Sequence, residues 1–349
     1  MDFKKLFSQY LALINRFVPQ AVVPPVVGID VGTHAIKAVE VETSAGKISI
    51  RRWAVEPVGA NDSKSALKKI VERLHLSDQI LVSSVSGKGS LIRYLDMPRM
   101  SLDDLRKSFV FDLDKYLPFE PQSIYTDCAI LDPEGKDKKM FVLLAAVKKE
   151  MVEERLKLFQ EVGLELDRLT LNSIATANAF KCLGPALATP VNAKAVLDIG
   201  SSISSLMIFK DSSMRFARDI FVGSQELTRQ IANTLGVDDA QAETIKCHPA
   251  DKLEQVIDAC DTPINNLITE IRLSMDYFMT EKNVQVDELF LSGGGSLLKG
   301  MEGVFEKNLG VRVATWNPLL NAQLSASQVT DQLQNYAVQL SVALGLGCH

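Results

Sequence analysis

The sequence predicts an α/β protein built from two related halves, with a small α+β subdomain and a helical subdomain inserted between their strands. Three observations carry this prediction. The apolar run VVGIDVGTHAIK from Val26 breaks at Asp30, Gly32 and Thr33, then resumes as the alternating strand IKAVEVE. The same arrangement returns 168 residues later as Val196-Leu197-Asp198-Ile199-Gly200-Ser201-Ser202, followed by the strand-like SSLMIFK. A third glycine cluster, Leu291-Ser292-Gly293-Gly294-Gly295-Ser296, ends another apolar run. A single Asp-x-Gly-[Ser/Thr] turn is ordinary hairpin chemistry, since Asp, Gly and Ser are turn residues in any context. Its duplication beside a third glycine loop points to two hairpins gripping one phosphate chain.

The residue types suit that task. Glycine lets backbone N–H groups approach an anion closely, and Thr33 and His34 add donors. An aspartate inside a phosphate site is tolerable chiefly when a metal ion offsets its charge.

At 349 residues the chain is long enough for two domains with sizeable cores. Its 38 basic and 43 acidic side chains leave a net charge of −5, which gives no electrostatic footprint for nucleic acid. The five cysteines, at 128, 182, 247, 260 and 348, contain no C-x-x-C pair. This argues against a zinc site and a disulfide framework and fits a reducing cytoplasm. Lys4 and Lys5 precede an apolar run that Asn15 and Arg16 interrupt, so no signal peptide is expected. The internal run FVLLAAV from Phe141 falls far short of the roughly 20 residues of a membrane span.

In chain order, Phe3, Leu6, Phe7, Tyr10, Ile14 and Phe17 predict an amphipathic helix over residues 2–18, and a Pro-containing linker follows to residue 25. Such a helix packs on its own protein, binds a partner or makes peripheral membrane contact. Three strands to residue 57, a helix over 63–74 and a strand over 79–85 come next. The strand SLIRYLDMP then leads into Ser101-Leu102-Asp103-Asp104, a capping signature for a helix with Leu102, Leu105, Phe109, Leu113 and Tyr116 on its inner face. Two further strands and a helix over 149–162 complete a β-α-β-β-α run of subdomain size. Strands recur from 193 to 222, mirroring 26–57. Residues 223–286 read as helical, with a long apolar stripe from 252 to 279 broken at Pro263. A strand into the glycine cluster, a helix, a strand and a final helix over about 329–344 end the chain. The resulting division is 1–25 (helix and linker), 26–82 with 171–192 and 329–349 (first half), 83–170 (inserted α+β), 193–222 with 287–328 (second half) and 223–286 (helical).

Two Asp-Gly hairpins, a helical segment and a strand ending in Gly-Gly-Gly-Ser, in that order, resemble the actin, Hsp70 and sugar-kinase superfamily. Within it, GIDVGTHAIKAVE, MPRMS with YLPFEP, VLDIGSS, LTRQIANTLGV with AETIK, and LSGGGSLLKGM are similar to the PilM family, actin-like cytoplasmic components of type IV pilus assembly related to FtsA. The resemblance runs from about residue 26 to the end. It implies an actin-like, ribonuclease H-like duplicated nucleotide-binding fold with ATP and Mg2+ as cofactors.

The resemblance also implies roles for individual residues. Asp30 and Asp198 match the aspartates that hold Mg2+, through its waters. Gly32, Thr33 and His34 match the first phosphate loop, with Lys37 reaching the phosphates, and Gly200, Ser201 and Ser202 match the second. Gly294, Gly295 and Ser296 match the adenosine loop, while Glu243 and Lys246, on one face of a helix, match the clamp on ribose and base. The position expected to carry an acidic group that activates water holds Asn172, and an amide is no general base. At most a weak ATPase is therefore expected. The family further implies a groove beside the inserted subdomain for the N-terminal cytoplasmic peptide of a PilN-like inner-membrane protein, with other pilus assembly proteins as further partners. That places the chain in the cytoplasm at the inner membrane's inner face.

Two alternatives share the superfamily. A small-molecule kinase needs a carboxylate base, for which Asp96, Asp103 and Asp104 are the candidates in the first interdomain region. An FtsA-like membrane tether needs an amphipathic helix, and only residues 2–18 offer one.

Overall fold

The computed structural model describes residues 24–348 apart from 45, 60–61, 136, 186–191, 211–212 and 325–330. The helix expected over residues 2–18 lies outside the described residues.

Val26, Val27 and Ile29 are all buried, as a central strand covered on both faces requires. This strand, β1 (Val26–Val31), pairs antiparallel with β2 (Ala35–Ser44), which pairs antiparallel with β3 (Lys47–Pro57). On its other side β1 pairs parallel with β4 (Ile80–Val85), and β4 with β8 (Arg168–Leu171). A short β14 (Gln323–Leu324) closes the far edge, giving the order β14-β3-β2-β1-β4-β8.

The second half repeats this plan. Strands β9 (Ala193–Ile199), β10 (Ser204–Lys210), β11 (Ser213–Ile220), β12 (Val286–Ser292) and β13 (Arg312–Thr315) lie in the order β11-β10-β9-β12-β13. Here too the three edge-to-centre strands are antiparallel and the remaining two are parallel to the centre. The halves differ in what fills equivalent crossovers. Between β3 and β4 stands one helix, α1 (Ser63–Leu74), capped by Asp62 and burying Ala66, Leu67, Ile70 and Leu74. Between β11 and β12 run α5 (Ser224–Leu235), α6 (Asp239–Cys247), α7 (Leu253–Ala259) and α8 (Asp261–Lys282). Between β12 and β13 there is only α9 (Met301–Leu309). Between β4 and β8 lie β5 (Ser90–Pro98), α2 (Leu102–Asp112), β6 (Ile124–Ile130), β7 (Lys139–Lys148) and α3 (Lys149–Gln160). The inserted strands form their own sheet, β5-β7-β6.

Two further helices join the halves. These are α4 (Asn172–Leu183) and α11 (Ser341–Gly347), and every residue of α11 is buried. Their backbones touch: a Cβ on Gly345 would run into the Ala175 carbonyl, and one on Gly28 into that of Ala343. Phe180 on α4 meets Phe209, Phe290 and Trp316 at ring separations of 5.0, 5.4 and 5.1 Å, so first-half and second-half cores share one aromatic cluster.

Four boundaries differ from the sequence reading. The stripe from 252 breaks at Cys260, not at Pro263, which falls in the first turn of α8 where its missing N–H has no partner to lose. The final helix divides into α10 (Asp331–Tyr336), a 3-10 turn and α11, because the Val338 carbonyl turns out to accept from Gly293 N at 2.8 Å. The 323–324 stretch, assigned to the second half, pairs with β3 of the first. Finally, β4 runs to Val85 and β8 begins at Arg168, so the first sheet claims both ends of the segment assigned to the insertion. Among the described residues no helix is long and apolar enough to cross a membrane.

Phe180→Ala should lower the unfolding free energy by about 3–5 kcal/mol, since it removes the ring on which both cores converge. The urea midpoint measures this, and a midpoint within error of wild type would show that the halves do not depend on this cluster.

Candidate functional site

The register of each hairpin sets the position of its carboxylate. Asp30 sits opposite Lys37 on β2, and the Lys37 Nζ donates to Asp30 Oδ2 at 2.9 Å. Asp198 sits opposite Ser205 on β10. Each turn closes in the same way, with Gly32 N donating to Ala35 O at 3.2 Å and Gly200 N to Ile203 O at 3.0 Å. Both loops are also held from outside. Val58 N donates to His34 O, and the start of α5 donates from Ser224 N and Gln225 N to the carbonyls of Gly200 and Ser201. At the tips, Ser202 Oγ lies 3.2 Å from Thr33 Oγ1, so the two loops meet across the joint between the halves. Thr33, His34 and Ser202 are exposed, while Gly32, Gly200 and Ser201 are half-buried.

The two aspartates converge. Asp198 keeps a little exposure as a residue, yet surrounding atoms enclose its carboxylate. Its pKa is pushed up to about 6, first by desolvation and then by the charge of Asp30. Lys37 and hydrogen bonds from Ser341 and Ser292 only partly offset this, and the Ser341 contact spans 3.5 Å. Two crowded carboxylates with one lysine between them favour a divalent cation, which would relieve their repulsion. Among the described residues no cluster of three or more His, Cys, Asp or Glu could cage a metal. That donor set suits Mg2+, which keeps several waters and takes few protein carboxylates.

The structure sets the other expected residues apart by role. Glu243 and Lys246 do meet, at 2.6 Å, and Thr228 on α5 joins them through contacts of 2.6 Å to Glu243 and 2.8 Å to Lys246. Burial raises the Glu243 pKa, but the hydrogen bonds from Lys246 and Thr228, helped by the Lys246 and His34 charges, bring it below its usual value. The influence of His34 shows that the first loop and α6 face each other. In the glycine cluster only Gly294 is exposed. Gly295 is pressed against Ile199, and the Ser296 hydroxyl turns back to donate to Gly293 O at 2.7 Å. Gly293 itself has φ +81 and would place a Cβ 2.6 Å from Asp198 Oδ1, so only glycine lets this loop pass the buried carboxylate.

Asn172 is the first residue of α4 and is half-buried. It lines a cavity of about 560 Å3 with Ser86, Leu91, Tyr94 and Phe119 of the first crossover and Phe221 and Tyr277 of the second half and α8. Of the kinase candidates, Asp103 and Asp104 are exposed in the first turn of α2, where Asp104 Oδ2 accepts from the Ser101 hydroxyl that caps the helix. Asp96 lies on β5 of the inserted sheet, and none of the three lines this cavity or the one behind the first hairpin. Sequence reasoning missed Ser341, whose helix carries no polar pattern, and Arg155, one charge among several on α3. Neither has a local signal, because each is brought to the hairpins only by packing.

Asp198→Asn should stabilise the ligand-free protein above pH 6. The folded pKa is raised, so the folded state holds the proton that the unfolded chain has already released between pH 3.8 and about 6, and stability falls as pH rises through that window. The rise from 3.8 to about 6 corresponds to about 3 kcal/mol. Urea unfolding of both proteins across this range tests it; a gap that does not open with rising pH would show that burial beside Asp30 does not destabilise the charged Asp198.

A family model described as Type IV pilus assembly protein PilM matches residues 28–349. Among solved structures, the PilM-PilN type IV pilus biogenesis complex is similar at a TM-score of 0.82 and 23% identity, covering 93% of this chain and 98% of that one. MreB 5 of Spiroplasma citri bound to AMPPNP is similar at a TM-score of 0.53 and 12% identity, covering 94% and 95%. The ethanolamine utilization protein EutJ from Carboxydothermus hydrogenoformans follows at a TM-score of 0.52 and 15% identity, with 97% of each chain covered. The fold is therefore actin-like. With a match over nearly the whole described length, the chain belongs to the type IV pilus assembly protein PilM family.

Proposed function

We propose that this chain is an ATP-binding scaffold of type IV pilus assembly that also captures a short cytoplasmic peptide of a PilN-like inner-membrane protein. The observation that carries the nucleotide part is the convergence of Asp30 and Asp198 at the ends of two equivalent hairpins whose tips touch. Gly32, Thr33, His34 and Lys37 would hold the phosphates from one side and Gly200, Ser201 and Ser202 from the other. Gly294 would lie against the nucleoside, with Gly295 and Ser296 shaping that loop, and Glu243 and Lys246 would close over ribose and base. Asp30 and Asp198 would hold Mg2+ through its waters, and the ion would offset their charge and that of the phosphates. Asn172 stands where the resemblance expects a carboxylate and cannot act as a general base, so hydrolysis would be slow or absent. ATP then acts as a ligand that joins the halves rather than as fuel. The AMPPNP held by the similar MreB 5 supports the reading.

The peptide part rests on the cavity of about 560 Å3 beside the inserted subdomain. Apolar side chains such as Leu91, Phe119 and Phe221 line it together with charged ones, Arg93, Arg215 and Lys282 among them, and the Tyr94 hydroxyl, which is buried without a hydrogen-bond partner, a mixture suited to extended peptide. The PilN of the similar complex supports a partner of that class. Such a partner would place the chain in the cytoplasm at the inner membrane.

Calorimetry of the full chain should show saturable Mg-ATP binding that Asp30→Ala or Asp198→Ala weakens by about tenfold or more, equivalent to about 1.4 kcal/mol. Folded protein with no affinity for Mg-ATP would end the nucleotide reading. A labelled N-terminal peptide of the PilN-like partner should bind, and Phe221→Ala, which trims an exposed ring from the cavity wall, should weaken it by about 1 kcal/mol or more in fluorescence anisotropy. No binding by wild type would move the partner elsewhere.

A further inference from the structure

Behind the first hairpin lies a second cavity, of about 470 Å3, lined by Gly32 and Thr33 of the loop, Ser86 at the end of β4, and Met151, Glu154 and Arg155 of α3. It opens at the carboxyl ends of β1 and β4, the place where open α/β sheets gather ligands. Arg155 stands out there. Its Nη1 is fully removed from solvent and has no hydrogen-bond partner. Burial pushes the guanidinium pKa down, and the charge of Asp30 works against that. Asp30, however, already accepts from Lys37 at 2.9 Å. Arg155 is thus a buried cation facing a carboxylate that another cation has largely neutralised. Leaving a buried charge uncompensated costs several kcal/mol, so an anion that completes the set has a ready site. A guanidinium presents a planar fork of donors that matches phosphate oxygens in pairs.

We infer that Arg155 reads the terminal phosphate of the bound nucleotide, which makes the α3 crossover helix the element that tells a triphosphate from a diphosphate. This rests on the nucleotide reading above and adds to it a residue outside both hairpins. The same helix gives the contact a consequence. It follows β7, the middle strand of the inserted sheet, without a break. Met151, one turn before Arg155, lines this cavity and packs against the cluster of Val85, Ile92 of β5, Leu143 of β7 and Leu171 of β8. Val85 and Ser86 line both this cavity and the larger one assigned to peptide. A terminal phosphate drawn to Arg155 therefore biases the subdomain that forms the peptide cavity's wall.

The test is calorimetry of the full chain and its Arg155→Gln and Arg155→Lys variants with Mg-ATP, Mg-ADP and inorganic phosphate, beside thermal unfolding without ligand. Arg155→Gln should lose about tenfold or more in ATP affinity while ADP affinity stays within about twofold, and Arg155→Lys should recover part of the loss. Without ligand, Arg155→Gln should unfold at or above the wild-type temperature, because a buried unpaired charge is gone. Equal losses for ATP and ADP, or no loss for either, would overturn the inference while leaving nucleotide binding intact. Phosphate binding that needs Arg155, with unchanged ATP affinity, would overturn it in favour of a free anion. If Arg155→Gln does not fold, Arg155→Met is read by the same criteria. Wild type that binds neither nucleotide would remove both this inference and the reading beneath it.

Discussion

The repulsion between Asp30 and Asp198 is the constraint on which this structure turns. Each carboxylate ends a central strand, each sits beside a glycine turn, and desolvation together with the other's charge drives Asp198 up to about 6. Lys37 donates to Asp30 at 2.9 Å, while Asp198 receives serine hydroxyls and the more distant charge of Lys37, with the glycine loop passing over it. A fold that keeps two such groups close retains an electrostatic cost in its ligand-free state. Under the proposed function that cost would fall on binding cation and phosphate, which would link binding energy to closure of the two halves.

Holding the groups in place requires stiffness elsewhere. Glycines at 28 and 345 let strand, α11 and α4 come into backbone contact, and the aromatic cluster around Phe180 fuses the two cores. The loops are pinned in turn by Val58, Ser224 and Gln225 backbone donors. Further along the joint, Asp219 accepts from Ser205 Oγ at 2.6 Å and from Gly87 N at 3.3 Å, tying the second half to the turn that opens the inserted subdomain. Burial raises the Asp219 pKa and these hydrogen bonds oppose it, so this tie is also a buried polar contact whose partners cannot be removed freely.

The duplicated sheets are decorated unequally. One half widens the β11 to β12 crossover into a helical subdomain that faces the first hairpin, and the other widens β4 to β8 into the inserted sheet. The helix that closes each widened or plain crossover is then free for a different use. In the second half α9 packs Met301 and Phe305 into the core, whereas α3 buries Phe159 and sends Arg155 to the hairpin. A repeated strand plan thus carries two unlike insertions, one helical and one built on its own sheet.

Much of this was legible in the chain itself. Alternation and apolar runs located the strands, Ser101 announced a helix start, and the repeated Asp-x-Gly turns identified both hairpins, because these features depend on neighbours a few residues apart. Other features depend on groups far apart in sequence. The break before α11 exists because the Val338 carbonyl answers Gly293, and β14 pairs with β3 across more than two hundred residues. The raised pKa of Asp198 requires Asp30 to arrive from the other half, and the role of Arg155 appears only when α3 packs behind the first loop. The sequence by itself determined the two Asp-x-Gly hairpins and the glycine cluster, since residue type and local turn chemistry suffice for that. Only the tertiary structure decided which of them meet, because distance and desolvation are properties of the packed chain and have no local signature.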